Sequence, residues 1–66
     1  MLGERLRQLR KEQNLTQKDF GEKFNLSSRV IGYYESEERT PTPDFLLKIA
    51  EYFNVSTDYL LGKTDN

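Results

Sequence analysis

Apolar residues recur at helical spacing along two separate segments of the chain, with polar residues at the positions between them. The first segment predicts a helix from about Leu2 to Asn14, and the second predicts one from Pro43 to about Asn54. The stripe of the first helix consists of Leu2, Leu6, Leu9 and Gln13. The stripe of the second helix consists of Leu46, Ile49, Ala50 and Phe53. Each stripe predicts one helix face that packs against a core.

Between these helices, the stretch Leu15–Glu35 predicts two shorter helices, near Gln17–Phe24 and Ser28–Glu35, joined by a tight turn. At about 100° per residue, the later of the two has two unlike faces. Its inner arc, which we expect to lie in the core, consists of Val30, Ile31 and Tyr34. Its outer arc consists of Ser28, Arg29, Gly32 and Tyr33. Because the outer arc carries a cation, a hydroxyl group, a phenol and a position without a side chain, it suits the reading of DNA base edges.

Local residues predict where these two helices begin and how the chain turns between them. Thr16 and Ser27 are good N-cap residues, and Asp19 completes a capping box with Thr16. Asn25 lies in the turn, where asparagine adopts a left-handed conformation at low cost. Gly21 lies inside a helix, which predicts that a neighbouring segment approaches its backbone closely.

The remaining segments predict a compact all-α domain. The sequence ESEERTPTP predicts a loop, and Thr42 at its end caps the helix that follows. Ser56 caps a short fifth helix, which Gly62 ends. Five short helices with brief connections and no strand pattern predict one domain over residues 1–62. Residues 63–66 predict a polar tail or the start of a linker.

The composition of the 66-residue chain narrows the classes of function, because it contains no histidine and no cysteine. It therefore lacks the residues most used for proton transfer near neutral pH, for disulfides and for cysteine-based metal sites. We expect neither an enzyme nor a protein that requires a cofactor or a metal. No apolar run approaches the roughly 18 residues of a membrane span, and no signal peptide is visible. We therefore expect a cytoplasmic protein without a membrane partner.

Three motifs together carry a family resemblance over about residues 2–62: LRxLRKEQNLTQ, xDFGEKFNLSSRVIGYYE and RTPxxxxLLKIAEYFNVSTDYLLG. They resemble the helix-turn-helix domain of the phage lambda repressor and Cro type, also called the XRE family. The third motif is especially similar to repressors from Gram-positive bacteria and their phages or mobile elements. The resemblance implies a five-helix, lambda-repressor-like DNA-binding domain, in which the second and third helices form the helix-turn-helix at about residues 17–36.

The resemblance also implies roles for individual residues. Those expected to contact base edges in the major groove are Ser28, Arg29, Gly32 and Tyr33. Those expected to contact DNA phosphates are Gln17, Arg10, Thr16, Ser27, Ser36 and Arg39. Arg29 is the main candidate, because a guanidinium group can bind guanine N7 and O6 through two hydrogen bonds. Arg10 and Glu35 match an ion pair found in several family members. There it orients the third helix, which is the recognition helix that enters the major groove.

Several of these residues have a plainer alternative role. Arg29 is alternatively a surface arginine paired with a carboxylate, and Tyr33 alternatively packs on the domain surface. Gln17 is alternatively an ordinary first-turn polar residue, and Gly32 is alternatively a small exposed residue. The basic residues of the first helix approach a phosphate backbone or lie on a solvated face; they are Arg5, Arg7, Arg10 and Lys11.

The segment after the recognition helix departs from the family pattern. In the family, a small residue and a lysine often stand here and contact the DNA backbone. Here it reads Ser36-Glu37-Glu38-Arg39. Carboxylates near phosphates are repulsive. Either this loop points away from DNA, or Glu37 and Glu38 pair with Arg39 and its neighbours, or the domain binds DNA more weakly.

The leading functional hypothesis is a transcriptional regulator, a repressor, that binds an inverted-repeat operator in double-stranded DNA as a homodimer in a bacterial cell. The formal net charge of −1 predicts weak binding by a monomer. Candidate dimer contacts are the exposed members of Tyr52, Tyr59 and Leu61. A further C-terminal domain or protein partner is also expected. The alternative hypothesis is a protein-interaction module on the same scaffold, an antirepressor or antitoxin-like adaptor.

Overall fold

The computed structural model describes residues 2–64, and this part of the chain contains five α-helices and no strand. The helices are α1 (Leu2–Glu12), α2 (Gln17–Lys23), α3 (Ser28–Glu35), α4 (Pro43–Phe53) and α5 (Thr57–Leu60). The predicted all-α fold is therefore confirmed. Residues 65 and 66 of the predicted tail lie outside the described residues.

Helix α1 ends at Glu12, two residues before its predicted end at Asn14. Gln13 is exposed, and Asn14 adopts a left-handed conformation with φ of 58°. The reason is the return of the chain towards the core: the Leu15 N–H donates to the Arg10 carbonyl at 3.1 Å, and Leu15 becomes partly buried. The ends predicted for α2 and α4 are each one residue too late, because Phe24 and Asn54 are C-cap residues.

Three of the four connections share a three-residue pattern: a left-handed asparagine, an apolar residue, and a serine or threonine N-cap. The three segments are Asn14-Leu15-Thr16, Asn25-Leu26-Ser27 and Asn54-Val55-Ser56. Each cap hydroxyl accepts a hydrogen bond from a backbone N–H of the following helix, at 2.9, 3.2 and 3.0 Å respectively. Such a cap stabilises its helix by about 1 kcal/mol. The predicted caps, the Thr16–Asp19 capping box and the left-handed Asn25 are confirmed.

Every helix contributes one completely buried side chain to a single core. These residues are Leu6, Phe20, Ile31, Ile49 and Leu60. Aromatic rings fill the space around them, with the Phe20 and Phe53 rings stacked at a centroid distance of 5.5 Å. A core of this kind is what a domain of about 60 residues needs, because its buried apolar surface is small.

Gly21 allows α2 and the following turn to approach closely. A Cβ atom at this position would lie 2.5 Å from the Leu26 carbonyl oxygen. The Leu26 N–H donates to the Gly21 carbonyl at 2.8 Å, so the two backbones are already in contact. The predicted close approach is confirmed, and its partner is the backbone of the turn.

Candidate nucleic-acid interface

Helix α3 divides into an inner face and an outer face, as its sequence predicts. On the inner face Ile31 is completely buried, and the Tyr34 ring packs against Phe45 at a centroid distance of 5.5 Å. On the outer face Ser28 and Arg29 are exposed, and Gly32 and Tyr33 are partly exposed. The four residues predicted to contact bases therefore lie together on one surface of the domain.

The C-terminal end of α3 is held by an ion pair between Arg10 and Glu35. The Arg10 Nε lies 2.6 Å from Glu35 Oε2, and Arg10 Nη2 donates to Glu35 Oε1 at 3.0 Å. Arg10 Nη1 donates to the Leu15 carbonyl at 2.7 Å, so one guanidinium group joins α1, α3 and the turn before α2. The two side chains are only 8% and 5% exposed. Burial and two-point geometry make this a positioning pair, while a phosphate contact by Arg10 stays a prediction.

Gly3 shows how closely the start of α1 approaches this pair. A Cβ atom at Gly3 would collide with the Glu35 carbonyl oxygen and lie 2.8 Å from Glu37 Cγ. Helix α1 therefore supports the end of α3 through backbone contact as well as through Arg10. The position of the outer face is fixed by these two contacts.

Gln17 links α2 to the same end of α3. Its Nε2 donates to Glu35 Oε1 at 3.2 Å, and its amide lies beside Gly32. Because a side-chain amide has two N–H donors, one remains for another acceptor. The predicted phosphate contact of Gln17 is compatible with this arrangement and stays a prediction.

A cleft of about 320 Å³ opens between the first three helices beside this ion pair. Its lining residues are Arg7, Arg10, Gln17, Gly32, Glu35 and Ser36. A Cβ atom at Gly32 would lie 3.6 Å from Gln17 Oε1, which is ordinary van der Waals contact. The fold itself therefore has room for alanine at this position.

Tyr33 is placed between two arginines at the exposed edge of α3. Arg29 Nε donates to the Tyr33 hydroxyl at 3.0 Å. The Arg39 Cζ lies 4.4 Å from the centroid of the Tyr33 ring. Within the described part of the chain, the partner of Arg29 is thus a phenol and not the carboxylate of the plainer alternative. The three residues form one cluster, which we call the Tyr33 cluster.

The loop after α3 folds back on the last turn of the helix. The backbone N–H groups of Glu38 and Arg39 both donate to the Tyr33 carbonyl, at 2.9 and 3.3 Å. The Ser36 hydroxyl donates to Glu38 Oε2 at 2.8 Å, and Glu37 is left-handed with φ of 64°. Of the arrangements considered for this loop, pairing of Glu38 with a neighbour is therefore observed, and that neighbour is Ser36.

The hydroxyl groups of Thr16 and Ser27 are used as N-caps, and both residues are exposed. Each hydroxyl accepts a backbone N–H and keeps its own O–H for donation. Both caps lie at the N-terminal ends of helices, where the backbone dipole favours an anion. Their predicted phosphate contacts are compatible with this geometry and stay predictions.

The basic residues of α1 do not act as one patch. Arg5 Nη1 donates to the carbonyls of Tyr59 and Thr64, at 2.8 and 3.0 Å, and its guanidinium group lies 4.3 Å from the Tyr59 ring centroid. The four basic residues do not share one face, because at about 100° per residue Arg5 faces away from Arg7. Of the two alternatives, an approach to a phosphate backbone therefore stays a prediction only for the other residues. Arg10 is buried, which leaves Arg7 and Lys11 exposed. Arg7 lines the cleft, a role that its spacing of three residues from Arg10 could have indicated.

Within residues 2–64, no helix has the length and apolar character that crossing a membrane requires. The same residues contain no group of acidic, histidine or cysteine side chains placed to hold a metal ion.

Comparison with known proteins gives matches over nearly the whole chain. A family model described as helix-turn-helix matches residues 6–60. The HTH-type transcriptional regulator ImmR of Bacillus subtilis is 45% identical over 64 residues, which cover 97% of this chain and 50% of that protein. The cryptic phage CTXphi transcriptional repressor RstR of Vibrio cholerae is 38% identical over 60 residues, covering 91% and 54% respectively. The chain spans about half the length of these curated relatives.

A solved structure also matches the fold. It is the crystal structure of the P22 c2 repressor protein in complex with synthetic operator 9T in the presence of Tl+. The TM-score is 0.87, the sequence identity is 31%, and the match covers 97% of each chain. The similarity therefore includes all five helices and their arrangement.

Proposed function

This chain belongs to the helix-turn-helix family of the XRE and Cro/C1 type, and we propose that it is a sequence-specific DNA-binding repressor of transcription. The observation that carries the proposal is the outer face of α3, where Ser28, Arg29, Gly32 and Tyr33 form one accessible surface. The same helix is fixed from behind by Ile31 and Glu35. A rigid helix with a free polar face is what reading the major groove requires.

In this proposal the N-terminal part of α3 enters the major groove, and Arg29 binds a guanine through its N7 and O6 atoms. Ser28 and Tyr33 contact neighbouring bases, and Gly32 lets the helix approach the groove wall. Direct hydrogen bonds of this kind carry the sequence information, whereas phosphate contacts set the position of the protein on the duplex.

The residues proposed to contact phosphates lie around the outer face of α3, on neighbouring helices, helix caps and the loop after α3. They involve Gln17, Thr16, Ser27, Ser36 and Arg39, with Arg7 added from the cleft and Arg10 acting mainly as a positioning residue. Because each charged contact releases a counterion, binding weakens steeply as the salt concentration rises.

A dimer on an inverted-repeat operator completes the proposal. The formal net charge of −1 gives one domain little general attraction to DNA, so we expect two copies to share one site. Their recognition helices then occupy half-sites about one helical turn apart, roughly 34 Å. Repression follows because an occupied operator blocks the promoter. The setting is the bacterial cytoplasm, and the domain acts without a catalytic step.

The experiment that tests this proposal is selection of duplexes from a random library, with the wild-type domain and with two copies fused through a flexible linker. We expect the fused pair to enrich a palindrome whose half-sites are one helical turn apart. Sedimentation of the unfused domain with the selected DNA should give two protein chains per duplex. Failure of the fused pair to enrich any sequence would reject the proposal.

A protein-interaction role is the second candidate, and the loop after α3 is the observation that favours it. The Ser36 hydroxyl, one of the proposed phosphate contacts, is engaged by the Glu38 carboxylate at 2.8 Å. Glu37 adds a second carboxylate in the same turn. If neither form of the domain selects DNA, an antirepressor or antitoxin-like adaptor becomes the better reading, because its acidic loop would then face a protein partner.

A further inference from the structure

The Tyr33 cluster combines two cations around one aromatic side chain, on a surface that the fold does not need for its core. Arg29 contacts the hydroxyl group of Tyr33, and Arg39 contacts the face of its ring. We propose that Tyr33 is a positioning residue that orients both guanidinium groups before DNA arrives, making Arg29 a guanine reader and Arg39 a phosphate contact. This inference rests on the proposed function and assigns separate tasks to the two arginines.

The first step of the argument concerns Arg29. A guanidinium group has five N–H donors, and the hydrogen bond to Tyr33 uses the one on Nε. The Nη1 and Nη2 atoms remain available at the end of the side chain. Two parallel N–H groups are the donors that bind guanine N7 and O6. Fixing Nε also reduces the rotamer freedom that an exposed arginine would lose on binding.

The second step concerns Arg39, which lies in the loop and not on α3. Its guanidinium group stacks on the Tyr33 ring at 4.4 Å, and its backbone N–H donates to the Tyr33 carbonyl at 3.3 Å. Both contacts hold the loop against the last turn of the helix. Arg39 therefore has a defined position beside the outer face, where an exposed loop arginine would otherwise sample many.

The third step concerns charge. Two guanidinium groups beside one phenol repel each other, since like charges at short range raise the free energy. The Tyr33 hydroxyl accepts from Arg29 and keeps its own O–H for donation. The cluster thus presents donors and positive charge, and a polyanion with base-edge acceptors is the ligand that relieves the repulsion.

The hydrogen bond from Arg29 uses the Tyr33 hydroxyl group, and the Arg39 contact uses the ring, so substitutions can separate them. The Arg29 Cζ also lies 5.9 Å from the ring centroid, a longer contact that remains when the hydroxyl group is removed. Tyr33→Phe removes the hydroxyl group that holds Arg29 and keeps the ring under Arg39. Tyr33→Leu removes both. Tyr34→Phe is the matched control, because it deletes a hydroxyl group from the adjacent tyrosine on the inner face of α3. Melting temperatures of all three variants establish that the fold is retained.

Binding to the selected operator, and to the same operator with the guanine opposite Arg29 replaced, measures the effect. We expect Tyr33→Phe to lower the preference for guanine by roughly three- to tenfold, because a hydrogen bond to a charged group is lost. Its salt dependence should match that of the wild type. Tyr33→Leu should lose the same preference and, in addition, reduce the salt slope by about 1, as loss of one phosphate contact does.

A measurement without DNA separates this inference from the proposed function. In the free wild-type domain, NMR should show the Arg29 Nε–H protected from exchange with water, and Tyr33→Phe should remove that protection while Tyr34→Phe keeps it. An unprotected Arg29 Nε–H in the wild type would overturn the inference alone, as would a Tyr33→Phe variant with full guanine preference. A fused pair of wild-type domains that selects no DNA would overturn the proposed function and this inference with it.

Discussion

The two faces of α3 differ in what determines the position of each side chain. On the inner face, Ile31 is completely buried and Glu35 is held by Arg10 and Gln17. On the outer face, the side-chain contact of Arg29 is with Tyr33 on the same helix, one turn away. The buried contacts of Ile31 and Glu35 position this eight-residue helix, so its outer face can carry a changeable binding surface.

Substitutions in the Arg10–Glu35 ion pair should cause the largest losses of stability. Glu35→Ala should lower the free energy of unfolding by about 3–5 kcal/mol, because the buried Arg10 guanidinium group is left without its partner. Urea denaturation measures this loss. Replacing both residues, with Arg10→Met and Glu35→Leu together, should cost less than the single change. A double variant that is as unstable as Glu35→Ala would contradict the account of the pair.

Ile31 predicts a loss nearly as large by a different mechanism. Ile31→Ala should destabilise the domain by about 2–5 kcal/mol, since it opens a cavity at a completely buried position of the core. Ile31→Val, which removes one methylene group, should cost about 0.5–1.5 kcal/mol. Thermal unfolding of both variants is the measurement, and equal melting temperatures would show that this side chain is not tightly packed.

Replacing Gly32 with alanine should have opposite effects on stability and on DNA binding, which separates the two roles of α3. Gly32→Ala should raise the free energy of unfolding by up to about 1 kcal/mol, since alanine favours helix and its Cβ fits 3.6 Å from Gln17 Oε1. Affinity for operator DNA should fall, because the added methyl group holds α3 away from the groove wall. Calorimetry and a binding titration measure the two effects.

Gly21→Ala is the matched control for that change. Its Cβ would lie 2.5 Å from the Leu26 carbonyl oxygen, so this variant should be destabilised despite the same gain in helix propensity. If both alanine variants are stabilised, the contact between α2 and the turn is looser than described. If Gly32→Ala binds DNA as tightly as the wild type does, the glycine is not needed for close contact between α3 and the groove wall.

Local chemistry made much of the fold predictable. N-caps at Thr16 and Ser27, and the left-handed Asn25, depend on residues close in sequence, so the pattern alone specifies them. The two arcs of α3 follow from helical periodicity. The helix ends were less accurate, because Leu15 turns back to the core and ends α1 at Glu12, which is a tertiary effect.

The parts of the site that sequence reasoning missed depend on contacts between distant residues. Arg5 is drawn to the Tyr59 and Thr64 carbonyls, more than fifty positions away, and leaves the basic group of α1. Arg39 lies over Tyr33 because the loop folds back on α3. Neither contact has a periodic or capping signal in the sequence. The pairing of Arg10 with Glu35 was foreseen only through the family resemblance.

The most direct test of the central claim is a comparison of wild type with Arg29→Ala for base preference at each operator position, together with the unfolding free energy of both. The account predicts loss of guanine preference at one position in each half-site, about 1–3 kcal/mol, with stability unchanged within about 0.5 kcal/mol. A variant that keeps the full guanine preference, or weakens binding to all sequences equally, would contradict the claim that the outer face of α3 reads DNA through Arg29.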